Sequence, residues 1–115
     1  MTKIKPNKTD KGMFYNFSYG DWKEANYVET KKNAIRGGHY HKVNRECFFI
    51  LSGKVQFTIQ DTKTGAMNEF TVTNMECITI EPFVTHWLLA LEDSSWVSLN
   101  SLAFNPKNPD IHDDA

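Results

Sequence analysis

A chain of 115 residues with 40% hydrophobic and 23% charged residues has the composition of one globular domain large enough to bury a core. A net charge of −1, with no basic stretch interleaved with aromatics, gives no electrostatic footprint for nucleic acid. No apolar run approaches membrane-spanning length, and the opening residues lack the apolar centre of a secretory signal, so a cytoplasmic chain with no membrane contact is expected.

Residues 1–12, with Pro6, Asn7, Asp10 and Gly12, read as a loose lead-in. Short strands are expected over Met13 to Phe17, Trp22 to Thr30 and Ala34 to His41. Glu46 to Leu51 is almost wholly apolar, as in a strand buried on both faces. Parity places Glu46, Phe48 and Ile50 on one side, and Cys47, Phe49 and Leu51 on the other. The second row calls for another layer or a dimer partner, and a homodimer is expected. Beyond the Ser52-Gly53 turn, Val55, Phe57 and Ile59 alternate with polar residues in a half-buried strand. Asp61 to Gly65 is a hairpin loop. Glu69 to Thr73, Cys77 to Ile80, His86 to Leu91 and Trp96 to Phe104 supply four more strands. Residues 105–115 are polar and proline-broken and read as a surface tail, in which His112 is given no role. Cys47 and Cys77 are expected as reduced structural thiols. Many short strands, close turns and no amphipathic helix argue an all-β sandwich or barrel spanning 13–104, in a single domain.

Three of the four histidines fall in one constellation. His39 and His41 flank Tyr40, so on a strand both imidazoles share one face, roughly 6–7 Å apart. Glu46 follows a short polar turn, and His86 arrives on a third element behind Pro82 and Phe83. Three imidazoles and a carboxylate converging on one point suit a divalent transition metal, with zinc, iron, manganese, nickel and copper undistinguished. A metal also removes the cost of burying an unpaired carboxylate. Tyr40, between two inward histidines, should face outward and pack. Trp87, Trp96, Phe48 and Phe57 read as core, with Phe83 the exception, placed in the loop before His86.

This pattern resembles the cupin superfamily. Its first motif runs from a glycine through two alternating histidines and a glutamate to a second glycine. Here it reads Asn33, His39, His41, Glu46, Gly53, with asparagine in place of the leading glycine. Asparagine tolerates positive φ better than most residues. In the second motif Pro82 and His86 match, while Glu76, Val84 and Ala90 stand where glycine, glycine and asparagine are usual. The resemblance implies a cupin jelly-roll barrel (double-stranded β-helix).

Two narrower resemblances bear on chemistry. Arg36-Gly37-Gly38-His39-Tyr40-His41-Lys42 is similar to the signature of cupin sugar-nucleotide ketoisomerases, which carry alanine at the Tyr40 position and glutamine at Glu46. Together with the Ser52-Gly53-Lys54 turn and the late Phe104 to Asp110 segment, the same stretch looks like the C-terminal cupin of capsular-polysaccharide UDP-sugar reductases. These imply a keto-sugar or nucleotide-linked sugar ligand and isomerase or epimerase chemistry in surface-polysaccharide biosynthesis. Moving a proton α to a ketone needs a base near neutral pKa and a group that holds the enolate charge. His39, His41 and Lys42 are the candidates for that work. Arg36 and Phe83 are the candidates for substrate binding. The alternatives are a metal-dependent dioxygenase and a non-catalytic sugar-binding module.

Overall fold

A computed structural model describes residues 2–113. Its strands are β1 (Thr2–Lys3), β2 (Pro6–Thr9), β3 (Gly12–Tyr15), β4 (Glu24–Thr30), β5 (Ile35–His39), β6 (Glu46–Ser52), β7 (Lys54–Asp61), β8 (Met67–Thr73), β9 (Glu76–Ile80), β10 (Val84–Ala90) and β11 (Ser94–Asn100). All pairing is antiparallel. One sheet has the order β1-β9-β6-β11-β4 and the other β5-β10-β7-β8. The core lies between them. Phe48 and Ile50 from β6, Val55 and Phe57 from β7, Leu88 from β10 and Trp96 from β11 meet there, each at most 4% exposed. The period-two alternation of these strands sends one row inward from each sheet. The architecture is therefore the expected two-sheet β-barrel.

Two elements differ from the sequence expectation, and a third resolves an alternative it left open. The lead-in is not loose within the described residues: β1 pairs with β9, and β2 and β3 form a hairpin of their own. Pro6 is tolerated because it is the first residue of its strand. The last strand stops at Asn100, short of Phe104. From there side chains take over the backbone donors: Asn44 Oδ1 accepts from Leu102 N–H at 3.0 Å, and Glu24 Oε1 accepts from Phe104 N–H at 2.9 Å. The row of β6 that faces away from the core finds its cover within the same chain. Phe49 stacks on Phe17 with ring centroids 4.2 Å apart, and Cys77 lies beside the Phe17 carbonyl. A dimer partner is not needed to bury Phe49, though Leu51 stays 37% exposed. Cys47 and Cys77 are free and buried.

Backbone geometry explains how the histidines are presented. Asn33 has φ 74°, the left-handed conformation expected of it. Among the described residues, the other non-glycines with positive φ are Met75 (63°) and Phe83 (65°). A register set on Pro82 puts the two glycine positions at Glu76 and Val84. Counted back from His86, they fall one residue earlier, on Met75 and Phe83, and the proline position falls on Glu81, so Pro82 and His86 do not fit one register. Each such residue costs on the order of 1–3 kcal/mol, so the surroundings must hold it. Phe83 is held on both sides: its N–H donates to the His41 carbonyl at 2.7 Å, and its own carbonyl accepts from Thr62 N–H at 3.0 Å. The turn that delivers His86 is thus bonded directly to the strand end that delivers His41.

Candidate metal centre

His39 ends β5 and pairs across the ladder with His86 on β10. The register shifts between His86 and Trp87, so His39 sits opposite His86 while Gly37 sits opposite Trp87. That bulge needs glycine. Gly37 has φ +89°, and a Cβ there would lie 2.5 Å from the His86 carbonyl oxygen. Glu46 opens β6 on the facing sheet, and His41 lies in the segment between.

The four side chains converge. One ligand atom from each of His39, His41, Glu46 and His86 lies within 4.8 Å of all the others. Ring centroids are 5.0 Å apart for His39 and His41, 4.8 Å for His39 and His86, and 5.3 Å for His41 and His86. Ligands about 2.0–2.2 Å from one ion stand roughly 3–4 Å apart, so small ring rotations close the shell. The hydrogen bonds favour that use. His41 Nδ1 donates to the Asp110 carbonyl at 2.6 Å, and His86 Nδ1 donates to the Val84 carbonyl at 3.1 Å. Both rings therefore turn Nε2 inward, at 3.3 Å and 3.7 Å from Glu46 Oε1. This is the arrangement by which outer partners fix a ligating histidine's tautomer and orientation. Three nitrogens and one carboxylate oxygen, without thiolate, suit a divalent transition metal.

The electrostatics follow from crowding. Burial and the neighbouring His86 and His41 imidazoles push the His39 pKa down to about 4, so it is neutral at physiological pH. Burial also opposes a charge on His41, but hydrogen bonds to Glu46 and to the Asp110 carbonyl outweigh it and raise its pKa. For Glu46, burial works upward, yet hydrogen bonds with His41, His86 and Ser98 hold the carboxyl down at about 2.

Two cavities open on the cluster, and His39 and Glu46 line both. One, of about 260 Å³, is walled by Asn44, Asn100 and the segment from Leu102 to Ile111. The other, of about 310 Å³, enters the barrel past Asn26 and Arg36 and is floored by Phe48, His86 and Trp96. Arg36 reaches it with two donors committed to β4: Nε to Thr30 Oγ1 at 2.7 Å and Nη2 to the Glu29 carbonyl at 2.9 Å. Phe83 and Lys42 line neither cavity. Phe83 stacks on Tyr40 at 6.1 Å with the Lys63 ammonium over its ring, and Lys42 is exposed. Tyr40 is buried at 6%, packed between Phe83 and His112 as its outward position requires.

Sequence reasoning missed the polar residues behind the ligands. Ser98 Oγ donates to Glu46 Oε2 at 2.5 Å, Asn100 Nδ2 donates to Ser98, and Asn44 Nδ2 donates to Asn100. The available signal was parity: Ser98 and Asn100 share the inward row of β11 with Trp96, and polar residues at core positions need a reason. Asp110 and His112 carried no such signal.

A two-sheet antiparallel barrel with alternating histidines, a glutamate and a third histidine facing its interior defines a cupin, of the jelly-roll or double-stranded β-helix type. The chain belongs to the polysaccharide biosynthesis C-terminal domain family, whose model matches residues 7–112. No curated protein matches it. Among solved structures, capsular polysaccharide assembling protein CapF from Staphylococcus aureus superposes with a TM-score of 0.75 at 23% identity. That match covers 97% of this chain and 32% of CapF, so the chain spans about a third of that relative's length. QdtA, a sugar 3,4-ketoisomerase from Thermoanaerobacterium thermosaccharolyticum in complex with TDP, gives 0.81 at 18% identity, over 97% of this chain and 85% of its own. The rmlC epimerase of Mycobacterium tuberculosis gives 0.78 at 18% identity, over 92% and 64%. At these identities the likeness shows the fold.

Proposed function

We propose that this cupin holds one divalent transition metal through His39, His41, Glu46 and His86 and acts on a keto sugar, free or nucleotide-linked, by isomerisation or epimerisation in surface-polysaccharide biosynthesis. The observation that carries this reading is the placement of the imidazole cluster in the wall shared by two cavities, with Arg36 at the rim of the deeper one. The family's description supports the polysaccharide setting. A point mutant of a structural neighbour, QdtA, has been solved in complex with TDP-4-keto-6-deoxyglucose, which supports the ligand class.

The division of labour follows from the hydrogen bonds. His41 and His86 are pinned through Nδ1 and serve as fixed ligands. His39 makes ring contacts but no hydrogen bond among the described residues, faces both cavities and is neutral. When no metal occupies its ring nitrogen, it is the member free to accept a proton from the carbon beside a ketone, a weak base that the nearby Glu46 carboxylate helps by favouring the imidazolium that forms. A bound divalent ion supplies a Lewis acid for a carbonyl oxygen. Arg36 offers the rest of its fork to a phosphate or a sugar hydroxyl.

The test has two parts. Elemental analysis of tag-free protein is expected to find about one transition metal per chain, lost in His41→Ala. Incubation with a TDP- or UDP-linked 4-keto sugar in deuterated water is expected to introduce deuterium at the α-carbon. Binding of the sugar without exchange would overturn the enzyme in favour of a binding module.

A further inference from the structure

We infer that Asp110, in the tail after the barrel, is a positioning residue for the metal-ligating His41. This rests on the metal-centre reading above. Asp110 acts through two separate groups. Its main-chain carbonyl accepts a hydrogen bond from His41 Nδ1–H at 2.6 Å, which sets the ring's tautomer and aims Nε2 at the cluster. Its carboxylate binds three consecutive backbone N–H groups just beyond that ring. Oδ1 accepts from Lys42 at 2.9 Å, and Oδ2 accepts from Val43 at 2.7 Å and Asn44 at 2.8 Å. Successive N–H groups turned onto one anion form a nest, which fixes backbone that has no ladder of its own. Residues 42–45 are that kind of segment, since they belong to no strand and join the strand of His39 to the strand of Glu46.

The tail is itself locked in place. His112 N–H donates to the Tyr40 carbonyl at 3.0 Å, and Tyr40 N–H donates to the His112 carbonyl at 2.9 Å. The His112 ring returns to Asp110 Oδ1 at 2.9 Å. One short segment therefore grips the backbone before His41, the ring of His41 and the backbone after it. It also walls the smaller cavity through Asp110 and Ile111. Metal binding and the shape of that cavity are thereby coupled through a residue 69 positions from His41 in sequence.

The experiment compares the intact chain with Asp110→Ala and Asp110→Asn, using zinc competed against a chromophoric chelator. Asp110→Ala keeps the main-chain acceptor but removes the carboxylate that holds it against His41, and is expected to weaken zinc binding by up to about 10–100-fold, the range seen when an outer partner of a ligating histidine is displaced. Asp110→Asn, which keeps one acceptor oxygen, is expected to fall between, and it stands in if Asp110→Ala does not fold. The second readout is the ring-nitrogen NMR spectrum of the metal-free proteins at about pH 9, where imidazoles are neutral. His41 is expected to shift from the Nδ1–H form to a mixture, with the His86 signals unmoved. A folded variant with unchanged zinc affinity and unchanged His41 signals overturns the inference. Zinc binding absent from the unmutated chain would sink the metal-centre reading alone, and the His41 spectrum would then decide the positioning role.

Discussion

Ser98 donates its hydroxyl to Glu46 Oε2 at 2.5 Å, and this bond decides which oxygen the histidines meet. With Oε2 occupied, Oε1 is the atom left at 3.3 Å from His41 and 3.7 Å from His86. Removing the hydroxyl in Ser98→Ala leaves a largely buried carboxylate oxygen short of a donor. A hydrogen bond to a charged group contributes about 1.5–3 kcal/mol, so urea unfolding of the metal-free protein should show a loss of that size. Zinc affinity should fall about 10-fold, and Ser98→Thr should restore most of both. Unchanged unfolding and zinc titration curves would show that Glu46 does not depend on Ser98.

The pKa shifts fix how the metal-free protein responds to pH. His39 is depressed from 6.5 to about 4, so its contribution is complete above 6.5 and is lost as pH falls toward 4. Glu46, depressed from 4.5 to about 2, adds a second loss between those values. His41 runs the other way: its pKa is raised, so its contribution is present below 6.5 and is lost as pH climbs through the folded value. Thermal melts should place maximum stability near pH 6.5 and show a decline on the acid side in two stages. Zinc needs His41 deprotonated, so zinc affinity should rise as pH climbs through the raised His41 pKa, with release of about one proton. Proton release measured by calorimetry in buffers of different ionisation enthalpy checks this. A pH-independent affinity would remove His41 from the shell.

Gly37 provides a backbone test. Any side chain there meets both a positive φ of +89° and a Cβ contact of 2.5 Å with the His86 main-chain oxygen, which cannot rotate away. Gly37→Ala should cost about 2–4 kcal/mol of stability, from the strained conformation plus the displaced strand. Because His39 and His86 face each other across this bulge, zinc affinity should drop with it. Equal stability in the two proteins by chemical denaturation would mean that the β5–β10 bulge can be rebuilt without glycine.

How far these features could be read in advance depended on how local they are. His39 and His41 share a strand face, and Glu46 follows within one turn, so spacing alone exposed them. His86 was legible behind Pro82, but the backbone that delivers it was not: a positive φ at Phe83 runs against that residue's preference, and tertiary bonds to His41 and Thr62 impose it. Ser98 and Asn100 could have been found by asking why polar residues occupy the inward row beside Trp96. Asp110 could not. It lies in a proline-broken tail with no periodicity, and its role comes from a long-range contact. The hairpin of β2 and β3 was hidden for the opposite reason, since its Pro, Asn, Asp and Gly residues are those of turns.

Arg36 and Lys42 separate a cavity residue from a bystander. Both are cations close to the histidines in sequence, and both were candidates for work on the ligand. Arg36 lines the deeper cavity and is held there by Thr30 and the Glu29 carbonyl, whereas Lys42 lines neither and meets the fold through its backbone N–H. A charge-assisted hydrogen bond to phosphate or hydroxyl is worth about 1.5–3 kcal/mol, or roughly 10–100-fold in affinity. Arg36→Ala should therefore weaken binding of TDP or a TDP-linked sugar by that factor in calorimetric titration, while zinc binding stays as it was. Lys42→Ala should leave both unchanged. The reverse pattern would move the ligand out of the barrel to the exposed loop after His41, and the proton-transfer role proposed for His39 would fall with it.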